Sequence, residues 1–194
     1  MSRPPTPAPV AATRRLLSVR QSATLRALLD AGSALVGESG YDDLTVRAAA
    51  ARAGVTHTTA YAYFSSKAHL VAEIFWSKLQ SLPAPKVKPR ASLPDRIVAA
   101  LGAPGVLLDD QPALAQAALA ALLSNDPELE RVRTRIGARL AQRLGEALGP
   151  GTDPDVVESV MLAFSGAMLQ AGMGYFGFED VVARIVRMAR LIER

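Results

Sequence analysis

The 194-residue sequence predicts an all-α protein of about nine helices. It begins with a three-helix unit of the helix-turn-helix type and continues as a larger helical part. Three observations carry this reading. Ala and Leu dominate, aromatic residues are only 5%, and β-branched runs are scarce, which favours helices packed on helices. Apolar residues make up 49%, enough for a sizeable core and too many for wholesale disorder. Residues 45–70, TVRAAAARAGVTHTTAYAYFSSKAHL, read as two short helices joined by a turn at Ala53-Gly54-Val55, with another helix opening after Phe64-Ser65-Ser66-Lys67.

Each element has its own local signals. Residues 1–17 are proline-rich and basic without periodicity, and are expected to be a disordered arm. Ser18 opens the first helix with Gln21 completing a capping box. Leu25, Leu28, Leu29, Leu35 and Val36 follow at helical spacing, and Gly40 ends the run. Thr45 and Thr56 each offer a capping hydroxyl to the next two helices. Ser66 caps a fourth, which runs through Leu70, Ile74, Phe75 and Leu79 until Pro83-Ala84-Pro85 breaks it. Residues 18–82 therefore form one unit and residues 83–194 a second. In the second, helices are expected over 93–108 with an interruption at Gly102 to Gly105, and over 112–124. Others run from Asp126-Pro127 to Leu148, from Asp153-Pro154 to about Gly174, and over 178–193.

Charge separates the two parts. Residues 1–82 hold nine Lys and Arg against five Asp and Glu, whereas residues 83–194 hold thirteen of each. The excess positive charge thus lies with the helix-turn-helix pattern, as expected where one part faces phosphates. The second short helix carries Thr, His, Thr, Thr and Tyr, which hydrogen-bond and stack but build no core. Such a polar, braced helix suits the major groove of DNA. Cysteine is absent, which excludes disulfides, thiol nucleophiles and thiolate metal sites. No apolar run reaches the ~18–20 residues of a membrane span. Arg14-Arg15 is not followed by a hydrophobic region, so no secretion signal is read there. No membrane association, cofactor or metal is expected, and the expected location is cytoplasmic, with the nucleoid. With two histidines and no phosphate-binding glycine loop, an enzyme is disfavoured.

The stretch from Gly40-Tyr41 through Thr45-Val46, Ala53-Gly54-Val55-Thr56 and Tyr61-Ala62-Tyr63-Phe64-Ser65-Ser66-Lys67 to Leu70 resembles the DNA-binding region of the tetracycline-repressor (TetR) family. The resemblance covers about residues 18–75 and rests on a Gly-Val turn followed by a short helix ending Tyr-x-x-Phe-x-x-Lys. Two positions depart from the pattern: Ala49 stands for the usual larger apolar residue, and Ala68-His69 replaces the acidic residue after the Lys.

The resemblance implies a one-component regulator with a DNA-binding domain followed by an effector-binding and dimerisation domain. It assigns contacts with double-stranded DNA to Thr45, Thr56, His57, Thr58, Thr59, Tyr61, Tyr63 and Lys67. It implies a homodimer through the last two helices, assigned to Val160, Ala167, Gly174, Val182, Ile185, Val186 and Ala189. Packing of those helices within one chain is the alternative. A small-molecule pocket is expected among helices of residues 93–175, lined from Leu119, Leu122, Leu123, Ile136, Leu140, Met161, Phe164 and Met168. The scarcity of polar candidates points to an apolar effector. Arg131, Arg135, Arg139 and Arg143 repeat every four residues, either as a solvated face beside Glu128 and Glu130 or as a site for an anion. The implied function is a repressor released from a palindromic operator by its effector. An effector-independent architectural DNA-binding protein is the alternative.

Overall fold

A computed structural model describes residues 19–192. The arm over 1–17, with Arg14 and Arg15, and the Ser18 cap lie outside the described residues. Nine α-helices and no strand occur among the described residues: α1 (Val19–Ser39), α2 (Val46–Arg52), α3 (His57–Tyr61), α4 (Lys67–Ser81), α5 (Leu93–Asp110), α6 (Pro112–Leu123), α7 (Glu128–Leu148), α8 (Pro154–Gly172) and α9 (Asp180–Ile192).

Local chemistry explains the first four. The Thr45 hydroxyl accepts from the Ala48 amide at 2.9 Å, Thr56 from Thr59 at 3.2 Å and Ser66 from His69 at 3.1 Å. Each satisfies an orphan N–H of a helix first turn. Gly54 sits between α2 and α3 at φ +68°, a conformation costly for any side chain, and Val55 N donates to Ala50 O at 3.0 Å. Leu28, Leu44, Val46, Phe64 and Leu70 are buried between α1 and α4. Ala49 is fully buried, so the smaller residue there still packs into the core.

The second unit is layered around α5 and α7. α5 packs on α7 and α9, α8 packs on α9, and α4 leaves the first unit to lie against α6 and α7. α4 packs against α1 as well as against α6 and α7, so the packing is continuous across the boundary expected at residue 82.

The interruption expected at Gly102 to Gly105 is absent: α5 runs unbroken through Pro104. Proline has no N–H to give the carbonyl four residues back, here that of Ala100. Arg143 Nε donates to the Ala100 carbonyl at 3.1 Å, and Arg143 Nη1 donates to the carbonyl of Pro83 at 2.6 Å. Arg143 is only 1% exposed. Burial and the charge of Arg139 push its guanidinium below its ordinary value. Gly105 has a different role: a Cβ there would stand 2.7 Å from Val182 Cγ2, so glycine permits the close approach of α5 and α9.

We expect Arg143→Leu to cost about 2–3 kcal/mol, through a buried carbonyl left without its donor. The loss is expected to shrink when Pro104→Ala is already present, since alanine returns an amide proton to Ala100. A double-mutant cycle by urea denaturation measures this; equal losses in both backgrounds would show that the bond to Ala100 contributes nothing and that Arg143 acts through Pro83 and packing.

Candidate nucleic-acid interface and effector cavity

α3 presents its outer face to solvent because its inner face is a single buried Ala60 wedged against the core. His57, Thr58 and Tyr61 are exposed, Tyr61 by 52%. Thr59 is half-buried and its hydroxyl lies 2.9 Å from that of Thr56, so these two threonines are partly committed to holding the helix start. Thr45 is exposed beside them and caps α2. A capping hydroxyl accepts from the backbone and keeps its own proton to donate outward.

The other two assigned residues act mainly as braces. Tyr63 is half-buried, and its hydroxyl donates to Gln21 O of α1 at 3.4 Å. Lys67 donates to the carbonyls of Tyr41 and Asp42, each at 3.3 Å, and its ammonium lies 4.4 Å from the centre of the Tyr41 ring. Burial, with the neighbouring Asp42 charge, raises the Tyr41 hydroxyl above its ordinary value. Lys67 therefore ties the α1–α2 loop to the start of α4, next to α3. Arg47, which no sequence motif singled out, is exposed in the first turn of α2 and has no carboxylate partner among the described residues. Arg52, by contrast, is paired with Glu38 at 2.5 Å and 2.7 Å.

The start of α4 is tied to the second unit by two polar links. Ser66 Oγ donates to Asp126 Oδ2 at 3.0 Å, and Asp126 in turn accepts from the Glu128 amide at the start of α7 at 3.0 Å. Below it, Glu73 of α4 pairs with Arg135 of α7 and lies 3.7 Å from His69 Nε2. Ser65 N donates to His69 Nδ1 at 3.4 Å, and the other ring nitrogen faces Glu73. Burial alone would raise the Glu73 carboxyl, but hydrogen bonds from His69 and Arg135 and the charge of both outweigh it and hold the group below its usual range. The arginine stripe thus divides: Arg135 joins an ion pair, Arg143 serves backbone carbonyls, Arg131 is exposed and Arg139 half-buried.

A cavity of about 540 Å³ lies among α4 to α8. Leu119, Leu122, Leu123, Ile136, Leu140, Met161, Phe164 and Met168 all line it. The sequence reading missed Phe75 of α4, Leu108 of α5 and Arg133 of α7, which also line it. Arg133 lies off the four-residue arginine stripe but three and four residues before Ile136 and Gly137; that spacing was the available signal. The volume falls in the usual range for small-molecule sites. Among the described residues, no cluster of His, Asp and Glu could hold a metal ion, and no single helix is long and apolar enough to cross a membrane.

The residues assigned to a dimer face divide by orientation. Val160, Ile185, Val186 and Ala189 are buried inside the protomer, Val182 and Ala167 are half-buried, and Gly174 is exposed. Val182 meets α5 at Gly105, so the apolar stripe of α9 is used within the chain. Periodicity identifies such a stripe but not its partner. On and after α8 the large apolar side chains left in solvent are Leu162, Leu169, Met173 and Tyr175, and on α9 Leu191.

The sequence profile described as "Bacterial regulatory proteins, tetR family" matches residues 28–74. An uncharacterized HTH-type transcriptional regulator of Mycobacterium bovis is 41% identical over 175 residues, covering 89% of this chain and 82% of that protein. The chain belongs to the TetR family. A TetR transcriptional regulator from Rhodococcus sp. RHA1 has a similar fold, with a TM-score of 0.72 at 23% identity over 90% of this chain and 97% of that one. The regulator FadR from Bacillus subtilis, solved with stearoyl-CoA, gives a TM-score of 0.55 at 16% identity over 84% of this chain and 96% of its own. As a TetR-family transcriptional regulator, this is a DNA-binding protein, and α2 and α3 are its helix-turn-helix. The family and its relatives indicate no catalytic activity.

Glu73 sets a testable pH dependence. A carboxyl held below its unfolded value stabilises the fold above the unfolded pKa of about 4.3, and that contribution is lost as pH falls through the folded value. Urea denaturation at a series of pH values is expected to show wild type losing stability more steeply than Glu73→Gln below about pH 5. Parallel profiles would mean that the Glu73 pair contributes nothing.

Proposed function

We propose that the protein is a homodimeric repressor that leaves a palindromic operator when an apolar effector fills the cavity. The observation that carries this reading is the position of α4. Its first turn holds the loop that leads into the helix-turn-helix through Lys67, while Phe75, further along the same helix, lines the cavity. Filling the cavity therefore bears on the helix that orients α3. An effector acts only through its different affinity for the DNA-fitting and DNA-excluding shapes. About 100-fold release corresponds to roughly 2.7 kcal/mol of coupling.

In this reading His57, Thr58 and Tyr61 meet base edges, and Thr45, Thr56, Thr59, Tyr63, Lys67 and Arg47 fix register on phosphates. The dimer forms through the solvent face of α8, where Leu162, Leu169 and Met173 repeat at helical spacing, rather than through the inward residues of α9. Two α3 helices then reach successive major grooves. An apolar effector suits a cavity whose lining is almost wholly Leu, Ile, Met, Phe and Ala. A similar fold accompanies stearoyl-CoA in FadR from Bacillus subtilis. Work on DNA places the protein in the cytoplasm.

Three measurements test this. Tyr61→Ala is expected to weaken binding to the DNA upstream of the protein's own gene by about 10-fold, with Tm unchanged because the side chain is exposed; unaltered affinity would remove α3 from the interface. Leu162→Glu is expected to convert dimer to monomer in analytical ultracentrifugation. A wild-type monomer would overturn the dimer. Release of DNA is assayed with a panel of apolar compounds, and binding indifferent to all of them would favour an effector-independent architectural role.

A further inference from the structure

Apart from Ser165, the cavity lining is apolar with one exception. On its α7 wall Arg133 precedes Ile136, Gly137 and Leu140 on the same helical face, and it is the sole charged side chain among the lining residues. It forms no ion pair among the described residues. One nitrogen, Nη1, makes both of its hydrogen bonds, to the carbonyls of Leu122 at 3.1 Å and Ser124 at 2.9 Å at the end of α6. Those bonds fix the guanidinium in place and leave Nε and Nη2 with donors to spare. A second orphan adjoins it: the Ser124 hydroxyl is buried with no hydrogen-bond partner, on the residue whose carbonyl Arg133 holds. A half-buried cation without a counter-charge and a buried hydroxyl without a partner are both costly, and both occur at the corner where Arg133 binds the end of α6, although Ser124 is not itself a lining residue.

We propose that this corner is an anion subsite, and that the effector is an apolar chain ending in a carboxylate. Arg133 would take the carboxylate through Nε and Nη2, the paired geometry that guanidinium offers. The chain would lie along Ile136, Leu140, Met161 and Phe164. The proposal rests on the cavity being the effector site and adds the head-group chemistry. It also sets Arg133 apart from the other α7 arginines, which lie outside this cavity.

The test uses the intact protein with decanoate and decanol, equal in chain length and different in head group, by isothermal titration calorimetry at pH 7.5. Wild type is expected to bind decanoate about 10-fold or more tightly than decanol, the scale of a charge-assisted hydrogen bond. Arg133→Gln is expected to erase that preference with decanol affinity unchanged, and Arg133→Lys to keep part of it. Equal affinity of wild type for the two compounds overturns the anion subsite and leaves the apolar-effector reading standing. An equal loss for both compounds in Arg133→Gln also overturns it. Binding of neither compound by wild type removes the apolar-effector reading and this proposal together. The wild-type comparison decides the matter even where a variant fails to fold.

Discussion

A buried guanidinium stands in for the amide proton that Pro104 lacks, and the second half of the molecule is organised around that substitution. Without Arg143 the Ala100 carbonyl would face the core with no donor, on the helix that both α7 and α9 pack against. The same side chain reaches Pro83 in the segment that leaves α4, so one residue joins α5, α7 and the connection between the two units. The device recurs. Arg96 donates to the carbonyls of Ala147 and Leu148 at the end of α7, Arg133 to those at the end of α6, and Lys67 to the loop after α1. Helix ends expose carbonyls that no amide satisfies, and the negative end of the helix dipole favours a cation there. This protein ends several of its helices with a long cationic side chain from another element. Local ends thereby become tertiary contacts.

That arrangement gives α4 its role. Its first turn is linked to the α6–α7 connection by Ser66 and Asp126, and its second to α7 by Glu73 and Arg135. Phe75 lies on the cavity. A shift of α7 relative to α4 cannot leave these links and the α3 orientation unchanged together. The coupling in the proposed mechanism is thus carried by polar contacts whose two partners sit on different units, and by a helix shared between them.

What the sequence made legible was local. Thr45, Thr56 and Ser66 cap helices because a capping hydroxyl acts within three residues, and Gly54 turns the chain by its own backbone freedom. The cavity lining was legible too, since apolar residues at helical spacing on α6, α7 and α8 must face one another across a shared interior. The continuity of α5 was not. Pro104 and two nearby glycines read as a break, and only a side chain 39 residues further on makes the helix whole. Lys67 and Tyr63 were legible as polar ends beside the helix-turn-helix, but the backbone carbonyls they bind, in α1 and the loop after it, were not. The stripe on α9 was visible, while its partner was not: α5 offers Gly105 to Val182, and that close approach claims the stripe within the chain.

The solvent face of α8 draws the two proposed activities together. Leu162, Ser165, Gly166 and Leu169 line the cavity and are also exposed. In the proposed function one helix would therefore form both a wall of the effector site and the face offered to a second copy. Small residues at 165 and 166 permit close helix approach there, and Leu162 and Leu169 flank them with apolar surface. A subunit packed on this face would cover the side of the cavity that α8 leaves open. Affinity for the effector and affinity between subunits would then be linked, each changing the other by the same factor. A repressor built this way needs no separate relay from pocket to dimer, because α8 belongs to both, as α4 belongs to both pocket and DNA.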